Sequence, residues 1–408
     1  MNGNYTQTVS LDLQKNTGYF DNYKSTIDFF NNYPFRTFGE GVCHIICQKD
    51  KDANIKNANQ FKNYILEKCN EAGISPSLIG YDRTFSNWYS KKGPKKTAQS
   101  REKLFVLAFA LRLTTGEAKY LFHKVYMDRF IDVRNYKEAV YSYCIEKGHT
   151  FQTAESIIDT IHNRNDKISS KKISTQHLNE NIANFETDEE LVDFICDNWG
   201  NFHFNNSMAL KMFERLLEGT DNIPGVRKLA SEEYKAECDL LKSLKLSKGL
   251  TKRADGEHNE FVYKIITGVY ADVENPTKDF DAVFKKDSII HEEIRENFPK
   301  ITTFNELSIR ANSPGFKEDY DALRKFLILL KFYQFCILHQ KSNISQLFPR
   351  ETLVDEINDL LNDCNMPPLY VTNPHDMLYL FCSHSDVPLD TFRDIIYDVI
   401  NYNEENDF

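Results

Sequence analysis

Helix breakers are scarce in this chain. Its 408 residues include 16 Gly and 12 Pro, too few for the closely spaced turns of a β-sandwich or barrel. Long apolar runs are missing too. The longest without interruption is "LFVLAFAL" at 104–111, and "FLILLKFYQFCIL" at 326–338 is broken by Lys331 and Gln334. A membrane-crossing helix takes about 20 apolar residues, so no membrane span is expected. The opening residues "MNGNYTQTVSLDLQKNTG" are polar. They lack the apolar segment of a secretion signal, and a cytoplasmic location is expected. The nine cysteines, Cys43, Cys47, Cys69, Cys144, Cys196, Cys238, Cys336, Cys364 and Cys382, are odd in number, scattered and set among apolar residues. That pattern fits reduced thiols rather than a disulfide framework.

Chemical motifs are equally thin. "GEG" at 39–41 lacks the rest of a phosphate-binding loop. "VCHIIC" at 42–47 has no second pair of ligands to complete a zinc site. "HEEIREN" at 291–297 begins like a zinc-protease helix but has no second His four residues on. The loop "RADGEHNE" gathers Asp255, Glu257 and His258, an acidic cluster of the kind that is usually solvated surface. No Ser–His or Cys–His pairing stands out. No enzyme activity, cofactor or metal is expected.

What the chain does have is material for a core, with 41% hydrophobic and 13% aromatic residues. The apolar positions recur at helical spacing: Phe61, Tyr64, Ile65, Cys69 and Ala72 form one stripe. Gly73 is placed to stop that helix, and Ser75-Pro76 to start another. Ser100 is expected to cap the helix that carries Leu104, Leu107, Ala108 and Leu111. Thr187 and Glu190 have the spacing of a capping box. No alternating strand pattern is long enough to count, so the fold class is all-α. The expected organisation is an N-terminal extension at 1–60, a helical domain at 61–162, a polar linker at 163–186, a middle helical domain at 187–298 and a C-terminal helical domain at 299–408.

The last domain echoes the first. "VRNYKEAVYSYCIEKGHTFQTAESII" (133–158) aligns without gaps on "VTNPHDMLYLFCSHSDVPLDTFRDII" (371–396) at an offset of 238. Val133, Asn135, Tyr141, Cys144, Thr153, Ile157 and Ile158 meet identical residues at Val371, Asn373, Tyr379, Cys382, Thr391, Ile395 and Ile396. Tyr141, Cys144 and their counterparts share a helix face and read as core. Upstream, "KLFVLAF" (103–109) is similar to "KFLILLKF" (325–332), and both apolar helices precede their repeat unit, though at different intervals. The pattern is that of a degenerate duplication.

Charge gives the one functional signal. The chain is acidic, at formal charge −10, yet the stretch from Arg83 to Arg129 holds eleven basic and three acidic residues, a net +8. Those basic residues are Arg83, Lys91, Lys92, Lys95, Lys96, Arg101, Lys103, Arg112, Lys119, Lys124 and Arg129. A basic island in an acidic chain has the electrostatics of a phosphate-binding face. Aromatic residues interleave with it: Tyr81, Phe85, Trp88 and Tyr89. One of them is expected in the core and the others against sugar, base or methyl groups. Ser86, Asn87 and Ser90 offer hydrogen bonds to phosphates or base edges.

These residues resemble the lambda-repressor-like (Cro/XRE-type) helix-turn-helix proteins. The resemblance covers roughly 61–122 and rests on "EKCNEAGISPS", "TFSNWYSKKGPKK" and "KLFVLAFALRLTTGEAKYLF". The C-terminal stretch "LLNDCNMPPLYVTNPHDMLYLFC" is similar to that of multi-helix proteins of low-GC Gram-positive bacteria. The resemblance implies that 61–162 is a helix-turn-helix-like domain with a trailing helical pair, and that the protein is a regulator that binds duplex DNA. It implies that Thr84, Ser86, Asn87, Tyr89 and Ser90 lie on the groove-facing helix and that Lys91, Lys92, Lys95 and Lys96 meet phosphates. Arg83, Trp88 and Arg101 complete the expected DNA-binding set. Such regulators are often dimers, so a homodimer is expected. One departure is plain: the interval from Ser75 to Trp88 is several residues short for the family, so the second helix is truncated or the recognition helix displaced. The other reading is a helical protein-interaction or sensor protein, such as an accessory factor of a mobile element or phage-defence locus, with a protein partner on its C-terminal half.

Overall fold

The computed structural model describes residues 36–90, 93–132, 135–164, 182, 184–202, 208–243, 259–268, 298–299, 301–310, 320–342, 348–364, 366–371 and 373–405. The described residues hold sixteen α-helices and no strand, so the fold is all-α. None of these helices is long and apolar enough to cross a membrane. Residues 36–206 make one compact unit and residues 207–408 belong to another.

The first unit contains α1 (Phe38–Lys49), α2 (Ala58–Glu71), α3 (Asp82–Tyr89), α4 (Ala98–Ala110), α5 (Thr115–Tyr120), α6 (Tyr136–Lys147), α7 (Phe151–Arg164) and α8 (Asp188–Asp197). Residues 36–60, expected as an extension, thus contribute a helix to it. The helix expected to open a middle domain, α8, also packs here, burying Leu191, Val192 and Ile195. It starts on a capping box: the Thr187 hydroxyl accepts from Glu190 N–H, and the Glu190 carboxylate accepts from Thr187 N–H. Most of the expected linker lies outside the described residues. Gly73 does end α2, at φ +66. Two helix starts differ from expectation. Ser75-Pro76 opens only a three-residue 3-10 turn, Pro76–Leu78, with no hydrogen bond from the Ser75 side chain. Helix α4 begins a turn early, with Thr97 as its cap and Ser100 N–H as the donor to it. The Thr97 residue has the extended backbone that an N-cap needs.

Helix α5 runs into a π-helical turn at Leu121–Val125, and Met127 just beyond it is left-handed at φ 59. This irregular exit turns the chain so that Asp128, Arg129 and Phe130 face α4. Phe105 of α4 lies 4.6 Å from the Phe122 ring, in the centre of the core.

The second unit contains α9 (Met208–Glu218), α10 (Val226–Ser243), α11 (Asn259–Thr267), α12 (Ile301–Arg310), α13 (Tyr320–Lys341), α14 (Arg350–Asp363), α15 (Pro374–Cys382) and α16 (Pro388–Glu405). Helix α13 is its axis, buried from Leu323 to Ile337 on most sides. Such a helix, apolar all round, belongs in the middle of a bundle.

One arrangement is built in both units. In the first, Arg101 of α4 is 6% exposed. It holds Glu138 of α6 with two hydrogen bonds, Nε–Oε1 at 2.8 Å and Nη2–Oε2 at 2.7 Å. It also donates to the carbonyls of Arg129 and Phe130. The Glu138 carboxylate accepts in turn from Asp132 N–H at 2.7 Å. In the second unit Arg324 of α13, 4% exposed, holds Asp376 of α15 with both oxygens at 2.8 Å. It donates to the carbonyls of Pro367 and Pro368, and Asp376 accepts from Tyr370 N–H at 2.9 Å. Residues 129, 130, 132 and 138 stand at the offset of 238 from 367, 368, 370 and 376. The match therefore extends to main-chain partners on which side-chain identity has no bearing.

The cores agree as well. Phe109 meets Tyr141 edge-on at 5.9 Å, and Phe332 meets Tyr379 edge-on at 5.2 Å. Tyr141 stacks on Phe151, and Tyr379 on Phe392. The last pair is shifted by one turn, because the first unit has Phe151 and Ala154 where the second has Leu389 and Phe392. Asn135 and Asn373 each cap their helix through the side-chain oxygen. Cys144 and Cys382 are fully buried. The structure sets the upstream register: Arg101 matches Arg324, so Leu104, Leu107 and Phe109 match Leu327, Leu330 and Phe332.

Candidate nucleic-acid interface

Helix α3 has only eight residues, and it is held by its apolar side. Phe85 and Trp88 are buried. Trp88 meets Phe38 of α1 edge-on at 5.3 Å, and Tyr89 packs on the Phe61 ring of α2 at 5.6 Å. Gly39 allows α1 and α3 to touch backbone to backbone: a Cβ there would lie 2.6 Å from the Tyr89 Cα. Gly41 likewise leaves room for Val125. The "GEG" of the sequence is thus a helix-packing device.

Holding Phe85 and Trp88 inward turns Arg83, Ser86, Asn87 and Ser90 outward, and all four are exposed. They share one helix face by spacing. Thr84 is half-buried beneath Gly80. The Ser90 hydroxyl donates to the Asn87 carbonyl at 2.9 Å, so it is already engaged. Tyr81 precedes the helix and is 77% exposed. Asp82, beside it, pairs with Lys62 at 2.7 Å, which offsets the one acid on this face.

The turn after α3 is fastened rather than loose. The Tyr126 hydroxyl donates to the Lys95 carbonyl at 2.8 Å. The Lys96 ammonium donates to the Met127 carbonyl and sits 5.2 Å from the Tyr126 ring centroid. Lys96 is therefore a structural strut as well as an exposed charge, and the Lys95 side chain is left in solvent. Lys91 and Lys92 lie outside the described residues.

Three expected DNA contacts are corrected. Trp88 is in the core, because the helix has one apolar side and Trp88 shares it with Phe85. Arg101 is in the buried cluster with Glu138 and Asp128, the latter at 2.9 Å from Nη1. Burial works against its charge, but the two carboxylates hold the guanidinium protonated. Tyr89 is half-buried rather than groove-facing, and its phenol is raised from its ordinary value, by burial first.

The basic island is not one face. Arg101 is internal, Arg129 pairs with Asp132 at 2.6 Å, and Arg112 donates to the Glu71 carbonyl at 3.5 Å. Of the expected contact residues, those exposed on α3 and on the described part of the turn after it are Arg83, Ser86, Asn87, Ser90, Lys95 and Lys96. The helix-turn-helix resemblance also narrows. Where that resemblance expects a second helix, the chain makes only the 3-10 turn Pro76–Leu78. Sequence reading missed the Arg324–Asp376 cluster. The acidic loop at Asp255, Glu257 and His258 and the "HEEIREN" segment lie outside the described residues.

No family model matches the chain, and neither a curated protein nor a solved structure matches it.

Proposed function

We propose that the first unit binds duplex DNA and acts as a regulatory protein, with α3 and the turn after it as the contact surface. The observation that carries this reading is the outward face of Arg83, Ser86, Asn87 and Ser90 on a helix fixed by Phe85 and Trp88. It adjoins a lysine turn fixed by Tyr126. A rigid, basic and hydrogen-bonding surface loses little conformational freedom on meeting phosphates. Arg83 and Lys95 supply charge, and Lys91 and Lys92 extend the same turn in sequence. Ser86 and Asn87 supply polar contacts. Because the second helix is a single turn, the reading favours phosphate contact over base-by-base recognition.

Fluorescence anisotropy of a labelled duplex tests it. Four phosphate contacts lower affinity about 100-fold between about 50 and about 200 mM salt. The variant with Arg83, Lys91, Lys92 and Lys95 all changed to Glu is expected to lose binding at both concentrations. Wild-type protein that ignores DNA at low salt, or binding unchanged by the four substitutions, rejects the reading. That result would leave the helical protein-interaction reading, with the second unit as the place to seek the partner.

A further inference from the structure

At one matched position the two units differ in burial as well as in residue. Residue 375 corresponds to residue 137 at the offset of 238. Lys137 has its side chain 44% exposed and reaches Glu102 at 3.8 Å. His375 is 1% exposed. A solvated cation in one copy has become an imidazole sealed in the core of the other.

The tyrosines explain why a polar ring is there. In the first unit the Tyr141 hydroxyl donates to Glu155 at 2.8 Å. The residue matching Glu155 is Arg393, which is occupied with Glu233. Tyr379 turns instead to His375 Nε2, at 3.3 Å. With Tyr379 donating, the one proton of the neutral ring sits on Nδ1. That atom is buried without a hydrogen bond and faces the Asp376 carboxylate at 3.7 Å, too far for a hydrogen bond.

The surroundings leave no place for a second proton. Helix α13 presents Arg324, which is bound to Asp376, and Lys325, which pairs with Asp321 at 2.6 Å. Helix α15 presents Asp376 and Tyr379. Phe298 presents an apolar ring, 6.4 Å from His375. From α16 comes Phe392, stacked on Tyr379. With His375 neutral, Arg324 and Asp376 cancel. A protonated His375 adds an unmatched positive charge next to a guanidinium, and its new Nε2–H removes the acceptor of the Tyr379 hydroxyl.

We propose that Arg324, Asp376, His375 and Tyr379 form an acid-sensitive latch between α13 and α15, closed while the His375 ring is neutral and released when the ring takes a second proton. Burial pushes the imidazole down from 6.5 to about 4, with Asp376 acting in the opposite direction. A folded value below the unfolded one means that stability is fully present above about 6.5 and is lost as pH falls towards about 4. Arg324 and Asp376 both keep their charges through that window, because Asp376 is held at about 2, burial raising it while Arg324 and His375 together lower it by more.

Hydrogen exchange followed by mass spectrometry on the full chain tests the latch. After correction for the intrinsic effect of pH on exchange, opening of 320–341 and 374–382 is expected to rise about 20-fold from pH 7 to pH 5. His375→Gln keeps an acceptor for Tyr379 and cannot take the proton, so its opening should change less than twofold over the same range. His375→Leu serves the same purpose should the Gln variant not fold. An NMR titration of the His375 ring gives an independent reading. The latch is overturned if either variant keeps the wild-type acid response, or if the ring titrates at or above 6.5 in the folded protein.

Discussion

In the first unit the buried arginine faces two carboxylates, Glu138 and Asp128; in the second it faces Asp376 alone. The position matching Asp128 is Met366, a buried apolar side chain. Both arginines close the junction of the same three pieces: an apolar helix, a capped helix after an Asn, and the main chain leading into that cap. The difference lies in how the charge is balanced. The first cluster carries one positive and two negative charges and includes a left-handed residue at Met127. The second is neutral and relies on main-chain carbonyls from two prolines. A shared geometry with different charge shows that the geometry, more than the ion pair, is the common element.

Removing the arginine should separate the two cases most strongly. Arg101→Met strands two buried carboxylates, and Arg324→Met strands one. Breaking a buried pair costs about 3–5 kcal/mol, so Arg101→Met is expected near the upper end of that range and Arg324→Met near the lower. Trp88 and Trp199 both lie in the first unit, so urea unfolding followed by tryptophan fluorescence reads the first variant. Hydrogen exchange of 374–382 reads the second. Equal losses would mean that Asp128 adds nothing to the stranded charge, and the distinction between the clusters would fall.

Replacing both partners sharpens the same point. Arg324→Met with Asp376→Leu removes the charges together, and such exchanges of a buried pair are often neutral or stabilising. The double variant is expected to recover most of the loss of Arg324→Met, because only one acid needed an arginine. Arg101→Met with Glu138→Leu should recover less, since Asp128 remains. Denaturant midpoints of the four variants check this. A double variant as weak as the single one would show that the main-chain bonds of Arg324 carry the stability.

The sequence announced helices, the capped starts at Thr187 and the 26-residue echo, because these depend on neighbours within a turn or two. It did not resolve the faces of α3: one aromatic was expected in the core with Trp88 among the DNA contacts, whereas Phe85 and Trp88 are both buried. The fate of Arg101 was hidden. Its partners stand 27 and 37 residues away, and a basic residue among lysines looks like surface until the acids are found. A usable signal was nevertheless present: "NYKE" and "NPHD" both place an acid three residues after the capping Asn, and each apolar helix has an arginine three residues before its first matched Leu. Counting identities alone passes over a Glu set against an Asp. The lysine turn was legible as a turn, but its fastening by Tyr126 was not, since the hydroxyl comes from 31 residues downstream.

The smallest expected effect lies at the two capping asparagines, and it tests whether the two units differ beyond their charges. The Asn135 oxygen accepts one N–H, from Lys137 at 3.1 Å, in a half-buried position. The Asn373 oxygen accepts two, from His375 at 3.0 Å and Asp376 at 3.4 Å, and the residue is buried. Water can replace a lost cap at the first site and cannot reach the second as readily. Substituting an N-cap Asn by Ala costs about 0.5–2 kcal/mol, so Asn135→Ala is expected at the low end and Asn373→Ala at the high end. The second substitution also frees the start of the helix that carries His375 and Asp376. A loosened His375 takes its proton at less cost, so the variant has less stability to lose in acid, and its cost should shrink as pH is lowered from 7 to 5 while that of Asn135→Ala stays constant. Thermal melts of both variants at the two pH values decide it: a pH-independent Asn373→Ala would detach the cap from the charges it positions.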